Sequence, residues 1–432
     1  MRIGLLNLVV AIASAEDLVG IEDCLHSKRV ARMAWAVGQA LGYGPERLER
    51  LLQAGLVHDC GVSSTADHDH LIEELDWFGS RNHCERGALL LTAFPPLAGL
   101  APIIRYHHSH WQDLEQRPLL RTVAEDANLI YLVDRVDMLA ASYYASQTQL
   151  VHSEAICQRI NSYRQRLFSP QLLDGFLKAA TVPAFWLDLD AGPLNHWIFE
   201  LLETQVVQEI SEDDLLHFAE IIADIVDAKS PYTAEHSRGV ARVAGWLAER
   251  AGLPPDRCRQ VVIAGLVHDV GKLRIPDEIL ESSTGLSQEQ RQTIKSHTYW
   301  TFEILRTIPG FDEMAQWAAF HHESLDGRGY PFGVQADGLA LEARIMRVAD
   351  VYQAMAQRRP YRAPTRCEDI LHLLRRMEQQ GEVDGRIVDL VAADLETCHG
   401  IATAGSPPRA GTGAPLRAHE VSGTSATPSP LS

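Results

Sequence analysis

Apolar residues recur every three or four positions through long stretches of this chain. Two stretches show the pattern clearly: Val30, Met33, Ala34, Val37 and Leu41, and Val240, Val243, Ala244, Leu247 and Ala251. This spacing predicts amphipathic helices. Glycine and proline fall between the helical segments, as at 42–45 and 252–255. No segment alternates apolar and polar residues between turn residues as a strand would, so the sequence predicts an all-α protein.

The two stretches are copies of each other. When His26–Asp59 is laid over His236–Asp269 without a gap, 15 of the 34 positions are identical. An internal repeat of this length indicates a duplicated fold. We therefore predict two tandem helical domains, 1–193 and 194–405, joined by a connecting helix over Leu194–Ile210. The tail 406–432 is rich in Gly, Ser, Pro and Thr, a composition that predicts disorder.

The charge and cysteine content narrow the classes of function. The formal net charge is −18, which argues against binding to nucleic acid polymers or to anionic membranes, since both need basic surface. The seven cysteines are scattered and odd in number, so we expect no disulfide framework and a reducing, cytoplasmic location. No apolar run reaches the ~20 residues that a transmembrane helix needs.

Histidines and aspartates follow one order in both halves: a lone His, a His-Asp pair, a lone His, a His-His pair and an Asp. In the second half these residues are His236, His268, Asp269, His297, His321, His322 and Asp350; in the first half they are His26, His58, Asp59, His83, His107, His108 and Asp134. Imidazoles suit divalent transition metals, and a carboxylate can bridge two of them. A metal pair about 4 Å apart can activate water against a phosphate ester. Any one histidine alone is more often a surface or core residue, but the repeated order favours metal binding.

The second half resembles the HD-GYP family, a branch of the HD-domain metal-dependent phosphohydrolases. The matching segments run from about Leu215 to Arg362 and are HSRGVARVA, HDVGK, His297, HHESLDGRGYP, Asp350 and RRPYR. The resemblance implies a helical domain with two or three metals, most often iron, with manganese or nickel as alternatives. It also implies hydrolysis of a cyclic dinucleotide, cyclic di-GMP or 3′3′-cyclic GMP-AMP, to a linear dinucleotide by a metal-activated hydroxide. The implied protein partners are a second copy of the chain or a diguanylate-cyclase-type protein.

The resemblance also implies roles for individual residues. One metal would be held by His236, His268, Asp269 and Asp350, and the other by Asp269, His297, His321 and His322. Asp269 and Lys272 would be the catalytic residues, with the Lys272 ammonium stabilising charge that grows on the phosphate. Arg238, Lys272, Arg359 and Arg362 would contact the substrate, although solvated surface is an equal alternative for the three arginines. For Tyr330, packing is favoured over catalysis.

Two positions depart from the family pattern. Gln353 stands where an acid is frequent, and Tyr232 stands where three-metal members can place a glutamate. The second departure favours two metals, although Glu235 is near.

The first half keeps the metal-binding residue types but lacks the lysine and the loop sequence that the resemblance connects with the substrate. Val62 stands in place of Lys272, and SHWQDLEQRPLL replaces ESLDGRGYPFG. This half is therefore a regulatory or dimerising domain, a metal-bound sensor, or a hydrolase of another phosphate; metal binding is favoured and independent catalysis is not. For the whole chain, the alternatives are a phosphohydrolase of another nucleotide, a catalytically silent cyclic-dinucleotide-binding module and a di-iron oxygenase.

Overall fold

The computed structural model describes residues 3–19, 25–62, 64–204, 210–229, 235–282, 285–357 and 365–405. The first half contains helices α1 Leu5–Glu16, α2 His26–Ala40, α3 Pro45–Leu56, α4 Thr65–Glu73, α5 Arg81–Thr92, α6 Ala101–Tyr106, α7 Trp111–Leu114, α8 Arg121–Tyr144, α9 Gln149–Asn161, α10 Pro170–Ala180, α11 Pro183–Leu187 and α12 Ala191–Thr204. The second half contains α13 Glu212–Lys229, α14 His236–Arg250, α15 Pro255–Val267, α16 Asp277–Leu280, α17 Gln288–Leu305, α18 Asp312–Ala319, α19 Leu341–Ala356, α20 Cys367–Gln379, α21 Gly385–Ala393 and α22 Leu395–Thr403.

The predicted all-α class with two tandem domains is confirmed. Within the described residues there are two isolated β-bridges and no strand. The predicted connecting helix begins in α12, which packs against α2 through the Trp35 and Trp197 rings, 6.2 Å apart. The domain boundaries stay a prediction, and the tail 406–432 lies outside the described residues. No helix in the described ranges combines the length and the apolar character needed to cross a bilayer.

The equivalent hairpins α2–α3 and α14–α15 bring each His-Asp pair close to the preceding lone histidine. A Cβ on Gly55 would lie 2.6 Å from the Cα of Ala31, and one on Gly265 would lie 2.7 Å from the Cα of Ala241. Only glycine permits so close an approach of two helix backbones. The sequence GLVHD thus contributes to helix packing as well as to the ligand set, because its glycine allows close contact between the two helices that position the histidines.

A second close contact places the chain that follows each aspartate. In the second half this chain is a 3-10 helix, Val270–Arg274, and a Cβ on Gly271 would lie 1.9 Å from the carbonyl oxygen of His297. In the first half a Cβ on Gly61 would lie 1.9 Å from the carbonyl oxygen of His83. Both glycines therefore hold the His-Asp pair against the helix that carries the next histidine.

Helix α1 packs between the two halves. Most of its residues are buried, and it contacts α2 and α3 on one side and α17 and the 3-10 helix 270–274 on the other. Polar contacts join the halves at the edge of this interface. The Asp277 carboxylate accepts from the Thr65 backbone at 2.7 Å and pairs with Lys229 at 3.0 Å, and Arg86 donates to the carbonyl of Asp224 at 2.9 Å. Helix α1 itself is apolar on nearly all sides, and a helix of this kind is stable only when it is buried, as α1 is between the two halves.

Substituting Gly271 by alanine should destabilise the protein, because the new methyl group would overlap a backbone carbonyl that cannot rotate away. We expect a loss of roughly 1–3 kcal/mol or more, the usual effect of overpacking, measured as a lower midpoint of chemical denaturation. Gly61→Ala should act in the same way. Gly400→Ala is the control, since its Cβ would meet nothing within 4 Å on an ordinary helix. Equal midpoints for Gly271→Ala and Gly400→Ala would contradict this interpretation.

Candidate metal centres in the two halves

The seven predicted ligands of the second half meet at one place in the fold. His236 begins α14, His268 and Asp269 follow α15, His297 lies in α17, His321 and His322 follow α18, and Asp350 lies in α19. Their ligand atoms form three overlapping groups in which all atoms lie within 4.8 Å of one another: His236, His268 and Asp350; His268, Asp269 and His321; and His297, His321 and His322. Five elements far apart in sequence thus converge on one small buried volume.

Asp269 stands between two sets of imidazoles. Its Oδ1 lies 3.4 Å from Nε2 of His297 and 3.8 Å from Nε2 of His321. Its Oδ2 lies 3.2 Å from Nε2 of His268 and 3.8 Å from Nε2 of His236. Each oxygen of one carboxylate therefore faces a different pair of histidines, as a ligand that bridges two metals must.

Asp350 belongs to one side of this arrangement. Its Oδ1 lies 3.2 Å from Nε2 of His236 and 4.0 Å from Nε2 of His268. Two imidazoles and two carboxylates thus surround one candidate metal position. His297, His321 and His322 form a second group, which Asp269 approaches at His297 and His321.

The fold orients the histidine rings through their second nitrogen. Three histidines donate Nδ1–H to the carbonyl three residues earlier: His268 to Gly265 at 2.7 Å, His297 to Ile294 at 2.6 Å and His321 to Ala318 at 2.6 Å. A carbonyl can only accept, so Nδ1 carries the proton and the Nε2 lone pair is free for a metal. Arg347, which the sequence did not single out, donates to Nδ1 of His322 at 3.0 Å. This Nδ1 is therefore an acceptor, and a neutral His322 carries its proton on Nε2, the tautomer opposite to that of the other three rings.

Burial sets the protonation states of these groups. It lowers the pKa of His297 to about 4 and that of His322 to about 3, because a charged imidazole is poorly solvated there. Burial also raises the pKa of Asp269, but the charges of His268 and Lys272 outweigh this effect and hold that pKa well below its usual range. Neutral imidazoles beside an ionised carboxylate are the forms that bind metals, and His297, His322 and Asp269 fit this description. His268 differs, because burial lowers its pKa but the charge of Asp269 outweighs burial and raises that pKa.

The first half repeats the arrangement around Asp59. Its Oδ1 lies 3.4 Å from His83 and 3.7 Å from His107, and its Oδ2 lies 3.4 Å from His58 and 3.8 Å from His26. Asp134 faces His26 at 3.5 Å and His108 at 3.6 Å. As in the second half, His58 and His107 donate Nδ1–H to the carbonyls of Gly55 and Ile104, at 3.0 and 2.6 Å. The duplication therefore preserved the geometry of the set as well as its order.

Buried polar atoms at both centres fit a metal. Asp269 Oδ1 and His268 Nε2 in the second half, and Asp59 Oδ1 and His108 Nε2 in the first, are inaccessible to solvent and have no hydrogen-bond partner. Buried polar groups almost always have partners. These four atoms point into the donor clusters, so a bound cation would satisfy them.

The remaining predicted residues lie in different surroundings. The Lys272 ammonium donates to Asp269 Oδ2, so it reaches the second centre. At the equivalent position of the first half, the apolar Val62 side chain is buried. Arg238 pairs with Asp224 at 2.6 Å. Arg359 and Arg362 lie outside the described residues, as does Tyr232.

A buried glutamate, which the sequence did not reveal, shapes the loop after His322. Glu323 is 1% exposed, and its carboxylate accepts from the backbone N–H groups of Phe332, Gly333 and Val334 at 2.7, 3.1 and 3.0 Å. A Cβ on Gly329 would lie 2.4 Å from the Cα of Glu323. The loop therefore folds back onto the residue that follows the metal-facing pair, and the glycine is needed for that contact.

The Tyr330 ring in this loop lies 4.9 Å from the His322 ring and 5.3 Å from the Lys295 ammonium. These contacts agree with a packing role.

The halves also differ at two positions close to the first histidine of each ligand set. Asp137 accepts from His26 Nδ1 at 2.8 Å and from Arg29 Nε at 2.7 Å. The second half has Gln353 and Gly239 at these positions, and a Cβ on Gly239 would lie 2.2 Å from the Gln353 side chain. The Gln353 side chain thus lies where a side chain at position 239 would extend, so each half has a pair of residues that fit each other at these positions.

Comparison with known proteins identifies the family. Residues 25–139 and 220–387 each match a family model described as HD domain. A curated protein of Vibrio cholerae serotype O1, 3′3′-cGAMP-specific phosphodiesterase 1, is 32% identical over 411 residues, which cover 94% of this chain and 95% of that protein. The chain belongs to the HD-GYP family of cyclic-dinucleotide phosphodiesterases.

Other relatives match mainly the second half or the fold. The cyclic di-GMP phosphodiesterase of Thermotoga maritima is 34% identical over 160 residues, 37% of this chain and 44% of that protein. The crystal structure of V-cGAP3, a cyclic GMP-AMP specific phosphodiesterase of V. cholerae, superposes with a TM-score of 0.63 at 22% identity, over 91% of this chain and 98% of that chain. The predicted HD-GYP membership and the duplicated HD domain are confirmed; the roles of individual residues stay predictions.

Asp137→Gln should destabilise the first HD domain by about 3–5 kcal/mol, because it removes the buried charge that pairs with Arg29 at 2.7 Å and His26 at 2.8 Å. The double variant Arg29→Gly/Asp137→Gln recreates the pair found in the second domain and should recover part of that loss. Chemical denaturation of the metal-free protein measures both. A double variant as unstable as the single one would show that the two positions are not coupled.

Proposed function

We propose that the second HD domain hydrolyses 3′3′-cyclic GMP-AMP to a linear dinucleotide, with cyclic di-GMP as the alternative substrate. The observation that carries this proposal is the Lys272 ammonium beside Asp269, in the middle of a complete ligand set. The cyclic GMP-AMP substrate is favoured because the relative of that specificity matches this chain over nearly its whole length.

The proposal assigns two metals to the second domain. His236, His268, Asp269 and Asp350 would hold one, and Asp269, His297, His321 and His322 the other; the distances around the two Asp269 oxygens support this division. Iron is the proposed metal, with manganese and nickel as alternatives. Bound there, the metals supply Lewis acidity and lower the pKa of a coordinated water.

The residues of the chain position the reacting groups. Asp269 would fix the spacing of the two metal positions, because each of its oxygens serves one of them. Lys272 can turn from Asp269 to a phosphate oxygen, where a compact ammonium stabilises growing negative charge in a site that excludes water. Arg238, Arg359 and Arg362 remain proposed phosphate contacts, and Arg238 would have to leave Asp224 to make its contact.

For the first HD domain we propose metal binding without cyclic-dinucleotide hydrolysis. The complete ligand set around Asp59 supports metal binding. Buried Val62 in place of Lys272 removes the cation that the proposed reaction uses, and Ser109 replaces the loop-forming Glu323.

The proposed reaction predicts a specific effect of removing the Lys272 charge. Lys272→Val should lower kcat for 3′3′-cyclic GMP-AMP by about 10²–10³, as the loss of one oxyanion-stabilising donor does in other hydrolases, and should retain metal. The matched control is Arg274→Val in the same 3-10 helix. The Arg274 guanidinium lies over the Trp300 ring at 4.2 Å, so the Arg274→Val protein should cleave the substrate at nearly the normal rate.

The measurement is product formation from 3′3′-cyclic GMP-AMP, cyclic di-GMP and a 5′-nucleotide monophosphate, together with metal content. Faster release of phosphate from the monophosphate than cleavage of either cyclic dinucleotide would favour the nucleotide phosphohydrolase instead. Binding of the cyclic dinucleotides without turnover by the metal-loaded protein would favour the silent module.

A further inference from the structure

The first metal centre contains a cysteine that the second centre lacks. Cys84 follows His83 in α5 and is 2% exposed. Its Sγ lies 3.7 Å from Nε2 of His83 and 4.0 Å from Nε2 of His107, and these two nitrogens are 3.2 Å apart. The sulfur thus faces the nitrogens that are free to bind a metal.

A second group points at the same place. Asp59 Oδ1 is buried without a hydrogen-bond partner, and it lies 3.4 Å from Nε2 of His83 and 3.7 Å from Nε2 of His107. For tetrahedral zinc, metal–sulfur and metal–nitrogen bonds of about 2.3 and 2.1 Å place sulfur about 3.6 Å from each nitrogen. The observed separations of the sulfur from the two nitrogens, 3.7 and 4.0 Å, are close to this value, and Asp59 Oδ1 approaches the same two nitrogens.

The second half contains no sulfur at the matching position. Thr298 follows His297, and its hydroxyl donates to the Lys295 carbonyl at 3.0 Å within its own helix. The Cys84 thiol also contacts a carbonyl of its own helix, that of Ser80 at 3.1 Å. A buried cysteine without a metal makes such a bond, so this contact alone does not distinguish a structural thiol from a ligand. The approach of the His83 and His107 nitrogens to the same sulfur does.

We propose that Cys84 is a thiolate ligand of the metal that His83, His107 and Asp59 hold in the first domain. This inference rests on the proposed metal binding by that domain. His108 is the competing donor: its ligand atom lies within 4.8 Å of those of Asp59, His83 and His107, and its Nε2 also lies 3.6 Å from Asp134. Thiolate ligands favour zinc, whereas a set of imidazoles and carboxylates also suits iron and manganese. The two halves of one chain would therefore select different metals.

Cobalt substitution of the full-length protein tests the thiolate directly. The metal-free protein reloaded with Co²⁺ should show sulfur-to-cobalt charge-transfer absorption in the near ultraviolet, and Cys84→Thr should lose it. Threonine is the residue that the second half has at this place. The matched control is Cys60→Val, which removes another buried cysteine next to Asp59 and copies Val270 of the second half; it should keep the absorption.

Two further readouts need no enzymatic activity. X-ray absorption of the zinc-loaded wild-type protein should show sulfur at about 2.3 Å, a result that does not depend on the folding of any variant. Chelator competition should show that Cys84→Thr weakens zinc binding at least about tenfold, since even the loss of a ligand's hydrogen-bond partner has this effect. Metal bound without sulfur, or charge-transfer absorption that survives in Cys84→Thr, would overturn the inference and leave metal binding by the first domain standing. Failure of this domain to bind any metal would overturn both the Cys84 inference and the proposed metal binding.

Discussion

The structure of each half depends on one buried carboxylate between two sets of imidazoles. An ionised carboxylate taken out of water is costly unless opposite charges or metal ions surround it. Asp269 is 2% exposed, and its partners come from α14, α15, α17 and the chain after α18. The hairpin contact of Gly265 and the contact of Gly271 with the His297 carbonyl bring these elements within reach. Helix packing and ligand geometry are therefore one constraint, and the short sequence GLVHD encodes both.

The duplication shows which parts of this arrangement changed independently. Both halves retain the aspartate between two sets of imidazoles, the carbonyl-oriented histidines and the close glycine contacts. The residues that would face a substrate or support the ligands differ: Lys272 against Val62, Glu323 against Ser109, Gln353 with Gly239 against Asp137 with Arg29. The proposed metal binding and the proposed phosphate chemistry thus depend on different side chains around the same centre.

The sequence was informative where local pattern determines structure. Helical periodicity predicted the all-α class, and the repeated order of His and Asp predicted two ligand sets that the fold brings together. Other features depend on long-range contacts that spacing does not reveal. The Arg347 contact with His322, the three backbone bonds of Glu323 and the Arg238–Asp224 ion pair each depend on how helices and loops pack. Cys84 is one of seven cysteines in the sequence, and only the structure shows that its sulfur lies close to the His83 and His107 nitrogens.

The central proposals are cyclic-dinucleotide cleavage at the second centre and metal binding at both. The most direct measurement compares two double variants, His268→Ala/Asp269→Ala and His58→Ala/Asp59→Ala, for bound metal and for cleavage of 3′3′-cyclic GMP-AMP and cyclic di-GMP. Both variants should lose metal relative to the wild type; the first should lose cleavage, and the second should still form the linear dinucleotide. Full cleavage by the His268→Ala/Asp269→Ala protein would contradict the account.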